Sequence, residues 1–414
     1  MKKYILIVGT LLTLLLIFLS TGGSIVSTIT GESDNDLSAE GSTVSTITEE
    51  NNDDISTYKS SSEFTDRDLE QEADLEDATY IEAESDTDIT ISEEGVYVIS
   101  GDATEVTIYV DAEDESKVQI VLDGVNIVNE DMPVIYVKSA DKVFITTTDT
   151  VNYMETSGSF VSDGETNLDA VIFSKDDLVF NGVGSLEIVS SENGISSKDD
   201  LKVTGGTYYV TSELDSFEAN DRILIYDGTF DVTSSKDAFH CENDDDDSLG
   251  NIYIYDGTFE IYAADDGITA AGFIQIDGGN ITITKASEGI EATYIVINDG
   301  NIDIYATDDG INAASKSTAY NVEIIINGGT INIEMASGDT DGIDANGSVT
   351  INDGYITITC NSGIDVDKES YINGGTVIVN GEQIYEIVAE MMGGGGMRGG
   401  PGEGNMPPGG GMPR

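Results

Sequence analysis

A phrase of about 22 residues recurs through most of this chain, and it restricts the fold more than any other feature of the sequence. Each copy holds a Gly-Ile-like step, a strand of alternating residues, an Asn/Asp-Gly turn, a second alternating strand and an acidic loop. The apolar residue of the step marks the copies: Ile172, Ile195, Phe217, Phe239, Ile268, Ile290, Ile311, Ile343 and Ile364. The intervals are 23, 22, 22, 29, 22, 21, 32 and 21 residues, and the two long ones hold insertions at 243–250 and 315–320. Fixed-period self-similarity in Val/Ile/Thr/Tyr-rich segments of period two, with no helical pattern, is the signature of a parallel β-solenoid.

One repeat is then one coil of three short strands. In the copy Gly289-Ile290-Glu291-Ala292, Tyr294 to Ile297, Asn298-Asp299-Gly300, Asn301 to Tyr305, side chains alternate between faces. Ile290, Ala292, Ile295, Ile297, Ile302 and Ile304 should point inward, and Glu291, Asp303 and Tyr305 outward. The turn glycines Gly182, Gly205, Gly228, Gly257, Gly278, Gly300, Gly328, Gly354 and Gly374 are expected to supply positive φ at the corner. The fold class is therefore all-β, a right-handed parallel β-helix by the crossover rule. It is expected over residues 78–390, with irregular first coils around Val118–Ile127 and Val134–Val137.

The flanks read differently. Met1-Lys2-Lys3, an apolar run over 4–19 and small residues at 20–23 give a signal peptide or N-terminal anchor over 1–23. A Ser/Thr/acidic linker is expected over 24–77, where Ser24-Ile25-Val26-Ser27-Thr28-Ile29-Thr30 returns as Ser42-Thr43-Val44-Ser45-Thr46-Ile47-Thr48. A disordered Gly/Met/Pro-rich tail is expected over 391–414. The chain is thus read as secreted or cell-surface, monomeric, and attached to a membrane only through residues 4–19.

Charge narrows the partners. Asp and Glu number 79 against 17 Lys and Arg, for a formal net charge of −62. Nucleic-acid binding needs clustered cations to displace counterions, so that class is excluded. The same field attracts Ca²⁺. The residue before each Gly-Ile step reads Asn193, Asp215, Asp237, Asp266, Glu288, Asp309, Asp341, Ser362. Stacked at roughly 4.8 Å, neighbouring charges would repel by about 3 to 4 kcal/mol per pair at an effective dielectric near 20. Such a column must be protonated, splayed into water or bridged by cations. Asp265 and Asp308 precede it, and Glu218, Glu291, Asn312, Asp344 and Asp365 follow the Ile. The candidate Ca²⁺ ligands are therefore Asp215, Asp237, Asp265, Asp266, Glu288, Glu291, Asp308, Asp309, Asp341 and Asp344, with the acidic insertion 242–247 beside them. The competing reading is a solvated acidic face that keeps the β-protein soluble.

Sugar chains are bound by flat aromatic faces and polar edges. The outward tyrosines are Tyr226, Tyr253 and Tyr255 on the middle strands and Tyr209, Tyr262 and Tyr305 on the last. No catalytic residue emerges: the lysines are scattered, and His240, the only histidine, occupies the outward slot equivalent to Glu291 with no Ser or Cys nucleophile placed beside it. Cys241 falls in a small-residue inward column and Cys360 four coils later, too far apart to bridge.

The residues also resemble a known family, the bacterial extracellular carbohydrate-binding domain proteins, which have a parallel β-helix similar to polysaccharide lyases and are associated with cellulose and pectic-acid binding. The resemblance is carried by Gly95 to Gly101, Val118 to Ile127, Pro133 to Val137, the two Ser-Lys-Asp-Asp-Leu phrases at 174–178 and 197–201, Asp265 to Ile268, Asp308 to Ile311, and the Gly-Met-Pro tail. It implies a Ca²⁺-binding, non-catalytic polysaccharide-binding solenoid. The absence of Trp departs from what crystalline cellulose favours; an acidic glycan bridged by Ca²⁺ suits the charge. The rival readings are a pectate-type polysaccharide lyase and a structural adhesin without a glycan ligand.

Overall fold

The structure, a computed structural model, describes residues 63–387 apart from residue 339. The expected signal or anchor, the tail and most of the linker lie outside the described residues. Those described form 36 strands from Thr79 to Ile384 and no helix. Nearly all pair in parallel with the equivalent strand one coil later: Ile268 with Ile290, Ile274 with Ile295 and Ile281 with Ile302. The arrangement is that of a β-solenoid with three strand-bearing faces.

The step face is a separate sheet of 12 strands, from Ile89–Ile91 to Ser362–Val366. The middle and last faces join at the N-terminal end because Lys117–Asn129 is long enough to turn their shared corner. It pairs with Lys142–Thr147 on one face and Val151–Thr156 on the other. At the far end Glu382–Ile384 folds back antiparallel on Thr376–Val379 and covers that edge of the last face, as a natural sheet edge requires.

Period-two alternation decides what fills the interior. Ile268, Ile290, Ile311, Ile343 and Ile364 form one fully buried column. Phe217 stacks on Phe239 at 4.7 Å and Phe230 on Phe259 at 4.6 Å, ring over ring at the coil spacing. All six residues read as inward in the Ile290 coil are buried. Cys241 sits between Ala219 and Ala270 in the small-residue column, and both cysteines are free.

Two corner details were not readable from the pattern. Where the turn holds two glycines, the positive φ falls on the second: Gly279 at 93° and Gly329 at 88°, rather than Gly278 and Gly328. After the middle strand the turn asparagines also form a ladder. Asn298 donates to Asp277 at 2.7 Å, Asn327 to Asn298, Asn352 to Asn327 and Asn373 to Asn352, each of these at 2.8 Å. An amide carries donor and acceptor together, so it can continue such a ladder, while a carboxylate can only end it.

The C-terminal end of the segment read as linker packs on the solenoid. From Glu63 to Leu75 the chain is a strap on the middle face: Phe64 packs edge-on to Tyr226 at 5.4 Å, and Asp68 is buried between Lys142 and Lys202. Gln71 accepts from Gly182 N–H and donates to the Thr204 carbonyl. These contacts join residues more than 70 positions apart, which no local pattern announces.

Candidate functional site

The acidic residues converge on the step face, and the strand register explains why. Asp309 pairs with Asp341 and Asp341 with Ser362. The column just after the Ile runs Ser196, Glu218, His240, Thr269, Glu291, Asn312, Asp344, Asp365. Two polar columns therefore flank a buried one from the Asn193 coil onward, while in the earlier coils the column after the Ile is aromatic, Tyr109, Tyr136 and Phe173.

The first column has a structural task that sequence did not show. The side chains of five members accept from the main-chain N–H of the next coil. Asn193 Oδ1 accepts from Asp215 N at 2.9 Å, Asp215 from Asp237 at 3.1 Å, Asp237 from Asp266 at 2.8 Å and Asp266 from Glu288 at 3.3 Å. Asp309 accepts from Asp341 at 3.2 Å. These bonds fasten coil to coil at or just before the start of the step-face strands, but they leave the charge in a poorly solvated column. Burial first, then the neighbouring carboxylates, raises Asp266 and Asp309 to about 7 and Glu288 to about 8. Asp344 rises to about 6 for the same reasons.

Internal cations meet part of this charge. Lys236 Nζ lies 2.8 Å from Asp215 and 3.5 Å from Asp237, while His240 Nδ1 is 3.1 Å from Asp215. Burial opposes it, yet the His240 and Lys236 hydrogen bonds hold Asp215 below the usual carboxylate range. The same contact overcomes the burial of His240 and raises its pKa. Further along, Lys316 from the second insertion pairs with Glu291 and donates to Thr269 Oγ1 at 3.2 Å.

Four groups among the described residues bring three ligand atoms within 4.8 Å of one another: Asp215/Asp237/His240, Asp199/Asp200/Asp221, Asp237/Asp265/Asp266, and Asp266/Glu288/Glu291. Six of the ten sequence candidates are therefore gathered. Asp308, Asp309, Asp341 and Asp344 lie on the same face in none of these groups, and Asp308 is exposed. His240, Asp199, Asp200 and Asp221 were not among the candidates. Glu291, expected to face water, is buried beside Asn312, whose Nδ2 reaches Glu288 at 3.2 Å and Glu291 at 3.3 Å. Asn312 is 7% exposed and its Oδ1 has no hydrogen-bond partner among the described residues. Acidic clusters here could hold a metal ion.

The tyrosines separate into two sets. On the last face Tyr209 is 46%, Tyr262 42% and Tyr305 38% exposed. Lys285 pairs in register with Tyr262, lies 5.1 Å over its ring and donates to its Oη at 3.2 Å. On the middle face outward does not mean exposed. Tyr253 is 6% exposed, packed edge-on to Phe273 at 5.4 Å in an outer apolar cluster with Phe64, Leu224 and Tyr294. It is withdrawn as a ligand contact. Tyr226 is half-buried and stacks on Tyr255 at 5.2 Å, leaving Tyr255 as the exposed member of the pair. Tyr355 and Tyr371, which sequence reading passed over, are exposed.

A cleft of about 450 Å³ opens on the step face between Lys198, Glu218, His240, Glu242 and Asn243. Glu218 is held by Ser196 Oγ at 2.6 Å, Asn193 Nδ2 at 3.0 Å and Lys198 Nζ at 3.4 Å.

A family model described as carbohydrate-binding domain-containing protein matches residues 85–340 and 288–383. A curated relative from Acetivibrio thermocellus, described in the same words, is 32% identical over 130 residues, 30% of this chain and 46% of that protein. The match thus spans about half the relative's length. A solved structure described as the polysaccharide lyase-like protein from C. thermocellum, a gadolinium derivative, is 29% identical, with a TM-score of 0.49, over 51% of this chain and 93% of its own. The family match runs over more than half of the chain, which belongs to the carbohydrate-binding domain-containing family.

Proposed function

We propose that this chain is a secreted or cell-surface, non-catalytic and monomeric protein that binds polysaccharide along the last face of its solenoid. The observation that carries the reading is the set of exposed tyrosines, Tyr209, Tyr262 and Tyr305, on a face lined mostly with Thr, Asn, Asp and Glu, with Lys285 beside Tyr262. Exposed flat rings on a rigid sheet meet the C–H faces of sugars, and the short polar side chains around them meet the hydroxyls. Family membership supports the ligand class.

Ca²⁺ is the cation this reading assigns to the step face. Asp266, Glu288 and Glu291 would hold it with Asn312, whose unpartnered Oδ1 supplies the kind of hard oxygen that Ca²⁺ takes. Its contribution would be charge neutralisation of the ladder, and, for an acidic pectin-like glycan, a bridge to uronate carboxylates.

The non-catalytic part of the reading is supported by the state of the groups in the cleft. A lyase needs a neutral base near the sugar C–H, and the Asp215 contact, outweighing burial, raises the pKa of His240 and so disfavours its neutral form. The test is a panel of insoluble cellulose, polygalacturonate and neutral glycans, with retention of the protein and release of unsaturated product both measured. The reading expects retention without product. Product formation would convert it to a lyase, and retention by none of the glycans would leave a structural adhesin.

A further inference from the structure

The strap brings one carboxylate into the middle face with no exposed surface. Asp68 is 0% exposed and lies 3.4 Å from Lys142 Nζ through Oδ1 and 3.8 Å from Lys202 Nζ through Oδ2. The two lysine side chains are themselves only 12% and 7% exposed. Asp68 is fixed from its own side as well. Thr65 N–H donates to its Oδ2 at 2.9 Å, its N–H donates to Thr65 Oγ1 at 3.2 Å, and Thr204 Oγ donates to its carbonyl at 2.5 Å. Apolar rings close the surroundings: Phe144 lies under the Arg67 guanidinium at 4.4 Å, and Phe64 lies 5.9 Å from Lys202 Nζ. A second carboxylate, Asp177, stands 3.6 Å from Lys142 Nζ on the other side. Burial, then the charge of Asp200, raises its pKa.

Taking an ammonium and a carboxylate out of water is costly, and joining them removes both charges. The Lys142 amine is held 3.4 Å from an oxygen of the Asp68 carboxyl group with both side chains shielded from solvent, which makes their encounter effectively unimolecular. We propose that Lys142 and Asp68 join in an intramolecular amide bond that staples the strap to the solenoid. Lys142 Nζ attacks Cγ of Asp68; the N–C bond forms, a C–O bond breaks, and Asp177 relays the nitrogen protons to the departing oxygen, which leaves as water. Ammonium plus carboxylate become amide plus water, with no oxidant or cofactor. Lys202 is the bystander: it already donates to the Glu63 carbonyl at 2.7 Å and lies farther from Asp68, at 3.8 Å. A strap held in this way keeps its seat when the chain upstream of residue 63 is pulled. This inference is independent of the glycan reading.

The test is the intact mass of the purified full chain under denaturing conditions, beside that of Lys142→Arg, which keeps the charge and cannot form the amide. The wild type should be one water lighter than its sequence, after allowing for whatever N-terminus both proteins share, and Lys142→Arg should show its full mass. Proteolysis should yield a branched peptide joining residues 68 and 142, and Asp177→Asn should slow its formation several-fold. A full-mass wild type with no branched peptide would reduce the contact to an ion pair and overturn the proposal. A branch from Asp68 to Lys202 would overturn the assignment to Lys142.

Discussion

Glu291 shows how far one residue can depart from its place in a repeat. Alternation turns its side chain outward, yet it is buried, because the insertion at 315–320 interrupts the period and delivers Lys316 over it. The repeat made Glu291 legible as a column member; its partner was not legible, since Lys316 has no counterpart in neighbouring coils. Lys316→Met should lower metal-free stability by about 1.5–3 kcal/mol, the range for hydrogen bonds to charged groups, as read by chemical denaturation. Added Ca²⁺ should recover much of that loss if the cation takes over the same carboxylates. Tyr253 teaches the converse: its outward direction was legible, but the cluster that covers it draws on Phe64 of the strap, 189 residues away in sequence. On the last face, where Tyr262 and Tyr305 stay exposed although Lys285 reaches over the Tyr262 ring, Tyr262→Ala with Tyr305→Ala should weaken polysaccharide retention roughly tenfold or more, an aromatic contact being worth about 0.5–1.5 kcal/mol beyond its buried area. The melting temperature should barely move.

At the scale of the element, the strands were readable because their inward positions repeat through the regular coils, broken by a bulge in Asn280–Ala286. Ile290→Ala should cost about 2–5 kcal/mol, the usual range for such a truncation in a core, because its column continues through Ile268 and Ile311 and cannot collapse into the gap. The asparagine ladder makes a subtler case. Asn327→Asp keeps the acceptor for Asn352 but removes the donor to Asn298, so it should destabilise by about 1 kcal/mol. A thermal scan would show whether Asn327→Asp falls below wild type, while Asp at the ladder's start, where Asp277 already stands, is tolerated. The recurring Asn before the turn Gly was visible in sequence, but its hydrogen bonds depend on how successive turns overlie one another, which a single copy does not reveal.

For the solenoid as a whole, the step face makes stability a function of pH and cations together. Folding raises Asp266 and Asp309 to about 7 and Glu288 to about 8, against ordinary carboxylate values near 4. Between about pH 4 and 8 the folded state thus binds more protons than the unfolded chain, and stability falls as pH rises. His240, also raised, adds in the same direction near neutrality, whereas Asp215, lowered, acts only below about pH 4. The EDTA-treated protein should therefore melt at progressively lower temperature from about pH 5 to 8, and Ca²⁺, which takes the deprotonated ligands, should flatten or reverse that slope. The acidity of this face was plain in the sequence; that its carboxylates fasten one coil to the next through main-chain N–H groups was not.

The most direct measurement is calorimetric titration of polygalacturonate and of cellulose oligomers into the full chain, with Ca²⁺ and with EDTA, for the wild type and the Tyr262→Ala/Tyr305→Ala double variant. The account predicts saturable binding of at least one glycan, strongest for polygalacturonate with Ca²⁺ present, and a clear loss in the double variant at unchanged stability. No glycan heat under either condition, or binding that the double variant leaves intact, would contradict the assignment of the last face as the polysaccharide-binding surface.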